Sequence, residues 1–375
     1  MQQYDFLVVG AGIAGASAAA YLAETHHTLI VEMEDRPGFH TTGRSAASYE
    51  PNYGPLPMLA FTRASEKFFR SPPQGFTDAP LLIDRPSLFI EAEGQKEFTR
   101  ELLEKASALD EISKAEASQL FPVFRPDYVR RAFLDRFTAD MDVDLIHRGF
   151  LRMFKARGGE TLLSSPITAI SRNGGLWHLK AGGNDIAARV IINAAGAWGD
   201  VVAAMAGAAL VGLVPKRRSI GVIPFEYTQS WQHWPMVTDV GETWYAKPQS
   251  GKMIVSSADA TPVEPHDAYA DDMAIAEGVE RLMTATTIEV TRIEHSWGGL
   301  RTFAPDGNPV IGFDPQTEDF FWLVGQGGYG IQSAPALGET AAALARGMVL
   351  PPSVLDHGLN LKDISPERFR THALA

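Results

Sequence analysis

The sequence predicts an α/β protein in which a sheet of buried strands is interrupted by a second, strand-rich domain. Three observations predict it. The chain opens on a strand–helix–strand unit, buried apolar runs ending in small residues recur far along it, and the intervening stretches differ in character. Phe6-Leu7-Val8-Val9 is a short apolar run closed by glycine, the pattern of a strand covered on both faces. Ile13 to Glu24 is alanine-rich, with Ala14, Ala18, Tyr21 and Leu22 at helical spacing, and Thr28-Leu29-Ile30-Val31 forms the next strand, ending at Glu32. The same kind of strand returns at Val190-Ile191-Ile192-Asn193 and at Phe320-Phe321-Trp322-Leu323-Val324. A helix follows the latter through Ala334, Leu337, Ala341 and Leu344. Between them, 51 to about 139 is rich in proline and aromatics, and 217–291 reads as β-rich with polar alternation.

With 375 residues, 45% of them hydrophobic and 21% charged, the chain suits a globular protein of about two domains. A net charge of -12 opposes broad attraction to nucleic acid or to an anionic membrane. The absence of cysteine excludes disulfides, thiolate metal sites, catalytic thiols and a cysteinyl tether to a cofactor. Phe6 to Ala23 carry no charge, a run long enough to raise the question of a membrane segment. It lacks a basic flank and is broken by Gly10, Gly12 and Gly15, so a turn is the better reading and a cytoplasmic protein the expectation.

Gly10-Ala11-Gly12-Ile13-Ala14-Gly15 is a G-x-G-x-x-G pattern placed after a strand and before a helix. Glycines there let the backbone turn tightly, approach a pyrophosphate and pack helix on strand. The helix N-terminus offers free N–H groups and the positive end of its dipole to the phosphates. Glu32, at the end of the second strand, stands where an acid accepts ribose hydroxyls. Context makes this a Rossmann-like dinucleotide site. The polar, aperiodic stretch from Pro37 to Ala47 could run along an extended cofactor, which favours a flavin over a nicotinamide.

Several segments together resemble the D-amino acid oxidase family of flavoenzymes. They are the glycine motif with Glu32, Thr42-Gly43-Arg44-Ser45, Asn193-Ala194-Ala195-Gly196-Ala197-Trp198, Trp297-Gly298-Gly299-Leu300-Arg301, Pro305-Asp306-Gly307-Asn308-Pro309 and Gly325-Gln326-Gly327-Gly328-Tyr329-Gly330-Ile331-Gln332. The order is right and the similarity spans the chain. With Pro215-Lys216-Arg217-Arg218-Ser219, the pattern is most like the family's bacterial D-arginine dehydrogenase branch. The resemblance implies a Rossmann-like FAD-binding domain (1–50, 140–215 and 295–375) with an inserted antiparallel-sheet substrate-binding domain (51–139 and 216–294). It implies non-covalent FAD, held by Gly10, Gly12, Ile13, Ala14, Gly15, Glu32, Thr42, Gly43, Arg44, Ser45, Ala46 and Ala47 from the first half of the chain. Ile167, Ala195, Gly196, Trp198, Arg301, Gly327, Gly328, Tyr329, Gly330, Ile331 and Gln332 would complete the set.

By the same likeness Arg218 and Arg301 hold a substrate carboxylate with help from Tyr245, and Tyr53 sits on a lid. A guanidinium forks onto a carboxylate, so the residue types suit the role. If Lys216-Arg217-Arg218 is a strand, Arg218 shares a face with Lys216 and opposes Arg217. Ser48, Glu50, Ser87, Met236, Thr238, Gly299 and Gly328 would complete the catalytic and substrate-binding set. Ser48 replaces a histidine near the amine, Ser87 replaces the acid that grips a guanidinium, and Glu50 replaces a threonine. These departures weaken D-arginine as the substrate.

The implied reaction is oxidative deamination of a D-amino acid by hydride transfer from Cα to flavin N5, with oxygen or a quinone as electron acceptor. Membrane contact would be at most peripheral. Open alternatives are a glycine, sarcosine or other N-methyl amino acid oxidase, a 2-hydroxy acid oxidoreductase, and a partner-binding protein on the same fold. Asp140, Asp142 and Asp144 mimic the start of a calcium loop, but Leu145 and Leu151 occupy its glycine and glutamate places.

Overall fold

The fold is a computed structural model describing residues 2–106, 108–228 and 230–369. Its first sheet is centred on Gln2–Val9, which pairs in parallel with Thr28–Val31 on one side and Asn184–Asn193 on the other. Glu160–Leu162 extends it beyond Thr28–Val31, and Phe320–Val324 pairs in parallel with Asn184–Asn193. The predicted buried strands thus converge in one sheet. All five residues of Phe320–Val324 are fully buried, each side chain worth roughly 1.5–3 kcal/mol over exposure. The strand expected at Val190–Asn193 begins earlier, at Asn184, because it also forms antiparallel pairs with Leu176–Ala181 at its polar end. Helix Ile13–Leu22 has an almost continuously small, apolar surface, and it is buried against the sheet and helix Gly330–Ala345.

The second sheet draws its strands from separate stretches of chain. Val214–Ile223 pairs antiparallel with His295–Phe303 along nearly its full length. Lys252–Ser256, Tyr245–Gln249, Met236–Asp239, Ser87–Glu91 and Arg131–Asp135 continue outward from it. One pair departs from the antiparallel expectation: Met236–Asp239 and Ser87–Glu91 run parallel. They come from different inserted segments, so no hairpin forces opposite directions. His295–Phe303, grouped by the sequence with the nucleotide-binding segments, pairs with the second sheet. Residues 1 and 370–375 of those segments lie outside the described residues.

A small third sheet of Ser48–Tyr49, Ala139–Met141 and Leu82–Asp84 ties the segment after Arg44 to the insertion. Trp231 and Trp234 are buried in ring contact with Phe225, and Trp234 also meets Phe121. Among the described residues, no helix is long and apolar enough to cross a membrane.

Candidate active site

The glycine turn forms because two of its positions admit no side chain. Gly10 has φ +101°, and a Cβ there would lie 2.7 Å from the Ala194 carbonyl oxygen; one on Gly15 would lie 1.9 Å from the Gly10 oxygen. Gly12 then caps helix Ile13–Leu22 with extended backbone. The Ile13 N–H, left free by the helix, donates to Thr42 Oγ1 at 3.0 Å, drawing the segment after Phe39 onto the helix end. The Glu32 carboxylate, 8% exposed, accepts the Ala11 N–H at 2.7 Å and the Glu34 N–H at 3.0 Å. His147 from helix Val143–Ala156 meets the Ala11 carbonyl at 2.8 Å, and burial lowers its pKa.

Around this turn lies a cavity of about 240 Å³. Gly10, Gly12, Ile13, Ala14, Glu32, Thr42, Ile167, Ala195, Gly196, Trp198, Gly327 and Gly330 line it. Gly15, Gly43 and Ile331 lie off it. Gly15 is packed beneath the turn, Gly43 donates its N–H to Gly38, and Ile331 is in the hydrophobic core. Gln326 also lines the cavity, and its buried Nε2 has no hydrogen-bond partner.

Thr41, Leu300 and Gly327 line both this space and a second cavity of about 160 Å³. The second cavity lies between the 44–53 segment and the face of the second sheet. Arg44, Ser45, Ala46, Ala47, Ser48, Glu50 and Tyr53 border one side. Arg218, Met236, Thr238, Tyr245, Gly299 and Arg301 border the other, with Gly328, Tyr329 and Gln332 at the first sheet's end. Ser87 is absent from this wall. It is buried within its strand, paired to Met236 on one side and Asp135 on the other.

Strand alternation sorts the basic triplet. Arg217 turns away from the cavity to pair with Asp271, whereas Arg218 registers against Gly299 and so sits diagonal to Arg301 on one face. Arg218 Nε donates to the Asp259 carbonyl at 2.8 Å, leaving its terminal nitrogens free. Burial and the neighbouring Arg301 hold its pKa below the usual guanidinium value. Arg301 lies against Gly328, where a Cβ would stand 3.1 Å from the guanidinium carbon. Neither arginine has a carboxylate partner among the described residues.

The Tyr53 hydroxyl donates to Glu242, and its ring lies 6.0 Å from that of Tyr329. Burial, Tyr329 and Glu242 push the Tyr53 phenol well above its ordinary pKa. Lys247, 3% exposed, reaches Asp140 at 2.8 Å and Ser48 Oγ at 3.5 Å. Glu50 lines the cavity, and loss of solvent lifts its carboxyl to about 7.

The profile of the family described as FAD dependent oxidoreductase matches residues 5–344. The chain belongs to this FAD-dependent oxidoreductase family. A glycine oxidase of Bacillus licheniformis is 24% identical over 361 residues, covering 92% of this chain and 94% of that one. The fold is also that of L-proline dehydrogenase from P. horikoshii, with TM-score 0.84, 18% identity and full coverage of both chains. Glycine oxidase from Geobacillus kaustophilus superposes with TM-score 0.83 at 18% identity, over 97% of this chain and 98% of that one.

The residues of this flavoenzyme fit FAD. The first cavity carries the glycine turn, Glu32 and the Gln326 Nε2, a buried donor without a partner, groups suited to a dinucleotide. The second cavity adjoins it, with Thr41, Leu300 and Gly327 bordering both, so an extended cofactor in the first would end beside the arginines.

Sequence reasoning missed Gln326 as a donor, Glu242 as the partner of Tyr53, and the buried Lys247. Glu242 sits in a turn at φ +51° between two strands, a position without a sequence signature. Lys247 could have been noticed as the one charge inside Tyr245–Gln249.

Proposed function

We propose that this flavoenzyme oxidises the bond between Cα and nitrogen of a small amino acid. The product is an imino acid, which water hydrolyses to a 2-oxo acid and ammonia. The carrying observation is that Arg218 and Arg301 face one cavity on diagonal strand positions, neither in an ion pair with a carboxylate among the described residues. An anionic ligand relieves that charge, and two forked guanidiniums fix the plane of a carboxylate.

FAD, when bound, supplies the hydride acceptor. The chain supplies position: the arginines hold the carboxylate, and Tyr245 presents a phenol on the same wall. Tyr53 and Tyr329 cover the space from the lid side and exclude water. The second sheet with its attached segments acts as the substrate-binding domain.

A D-amino acid is the first substrate class, on the resemblance carried by the arginine and glycine segments. Glycine-type substrates are the second reading, supported by the likeness to a glycine oxidase and by the small cavity of about 160 Å³.

The test is anaerobic reduction of the bound flavin by a panel of D-, L- and N-methyl amino acids, glycine and 2-hydroxy acids. Bleaching by glycine or D-amino acids supports the proposal. Bleaching by 2-hydroxy acids alone overturns amine oxidation while leaving the carboxylate clamp. Oxygen consumption then separates oxidase from dehydrogenase.

A further inference from the structure

The cavity that carries the two arginines also carries an acid with nothing to pair with. The Glu50 backbone N–H donates to Gln332 Oε1 at 2.7 Å, but its carboxylate has no hydrogen-bond or ion-pair partner among the described residues. Half-buried in the cavity wall, such a group becomes costly to keep charged once a substrate closes the space, unless a ligand or a proton answers it. Other proton acceptors on the walls are engaged or weak. Glu242 is held by the Tyr53 hydroxyl, Lys247 is paired with Asp140, and Ser48 is a neutral alcohol.

The placement of Glu50 matches an amine better than a distant side chain. Ser48 and Glu50 sit two residues apart on an extended segment, which puts both on the cavity side. Through Gln332, Glu50 is tied to the glycine segment whose Gly328 lies against the Arg301 guanidinium. The nitrogen of an amino acid is separated from its carboxylate by one carbon. Glu50 and Arg301 line the same cavity of about 160 Å³ from opposite walls and feel each other's charge, so a single small substrate held by the arginines spans the distance to Glu50.

Resting on the amino acid reading above, we propose that Glu50 binds the substrate's α-ammonium and removes one proton from it before oxidation. One N–H bond breaks and one O–H bond forms. The ammonium becomes a neutral amine, the carboxylate becomes a carboxylic acid, and no electron is transferred in this step. The freed lone pair would then be available for the C–N double bond, with FAD, when bound, supplying the hydride acceptor. The proton returns to water after product release.

The surroundings tune Glu50 for this task. Burial raises its pKa most, Glu242 and Asp135 add to the rise, and Lys247 and Arg301 oppose it. Tyr53 and Tyr329 face the same space as neutral phenols. The resulting value of about 7 leaves a substantial share ionised at neutral pH and gives a base matched to that pH.

The experiment is rapid-mixing reduction of the holoenzyme by glycine and D-alanine across pH, for wild type, Glu50→Gln and Glu50→Asp. Acetate binding, read by the flavin spectrum, reports the carboxylate clamp separately. Wild-type reduction should rise with pH through an inflection near 7. Glu50→Gln should lose that inflection, fall about 100-fold at pH 7, and recover at alkaline pH where substrate arrives as free amine. Glu50→Asp should retain the inflection, and acetate should bind all three forms alike. An unchanged pH profile in an acetate-binding Glu50→Gln variant overturns the role. A wild type that no amino acid bleaches overturns the underlying function as well.

Discussion

Neighbouring arginines on Val214–Ile223 have opposite uses because the strand alternates. Arg217 is spent on an ion pair with Asp271, and Arg218 is left to the cavity. That division was legible in the sequence once the triplet was read as a strand. What was not legible is which acids answer which groups. Glu242 meets Tyr53 only because two separate segments fold over one cavity, and Ser87 is buried between Met236 and Asp135 while Phe89 of the same strand lines the cavity. Glu50 carries a further consequence at this scale. Its folded-state pKa of about 7 lies above its ordinary 4.5, so the folded state holds the extra proton between those values. Stability contributed by this group is therefore present below pH 4.5 and lost as pH rises through 7. Glu50→Gln should melt higher than wild type at pH 8 and alike at pH 4, in thermal unfolding of the substrate-free protein. Equal melting at both pH values would contradict the burial cost assigned to this carboxylate.

Helix Val143–Ala156 shows how an element far from the chemistry positions it. Asp142 caps it, accepting the Leu145 N–H at 2.9 Å, and the helix carries His147 to the carbonyl of Ala11 in the glycine turn. Asp142→Ala should cost about 1 kcal/mol in denaturant unfolding. It should weaken FAD retention more than it changes the rate of reduction once FAD is bound. The acids read and rejected as a calcium loop thus have structural partners: Asp142 the helix end, Asp140 both Lys247 and Arg85. Elements whose apolar runs stood out, such as Thr28–Val31 and Phe320–Val324, were readable with their ends. Ser48–Tyr49 was not, because two residues carry no period and the strand exists only through its pairing with Ala139–Met141.

The whole molecule is organised around two adjoining cavities. The first sheet ends at the glycine turn, the second sheet presents two arginines, and Thr41, Leu300 and Gly327 border both cavities. A cofactor reaching from the first cavity to the second would touch both sheets, so its binding should stabilise the chain as a unit. Flavin-depleted protein should melt below the holoenzyme, and adding FAD at about 100 times its Kd should restore roughly 2.7 kcal/mol. A melting temperature indifferent to FAD would contradict these cavities as the cofactor site. The most direct test of the account is anaerobic reduction of wild type and Arg301→Ala by the best amino acid of the panel, followed at the flavin absorbance. Both proteins should carry FAD, and Arg301→Ala should be reduced about 100-fold or more less efficiently, with weakened substrate and acetate binding. Reduction of Arg301→Ala with wild-type rate and affinity would contradict the carboxylate clamp on which the function rests.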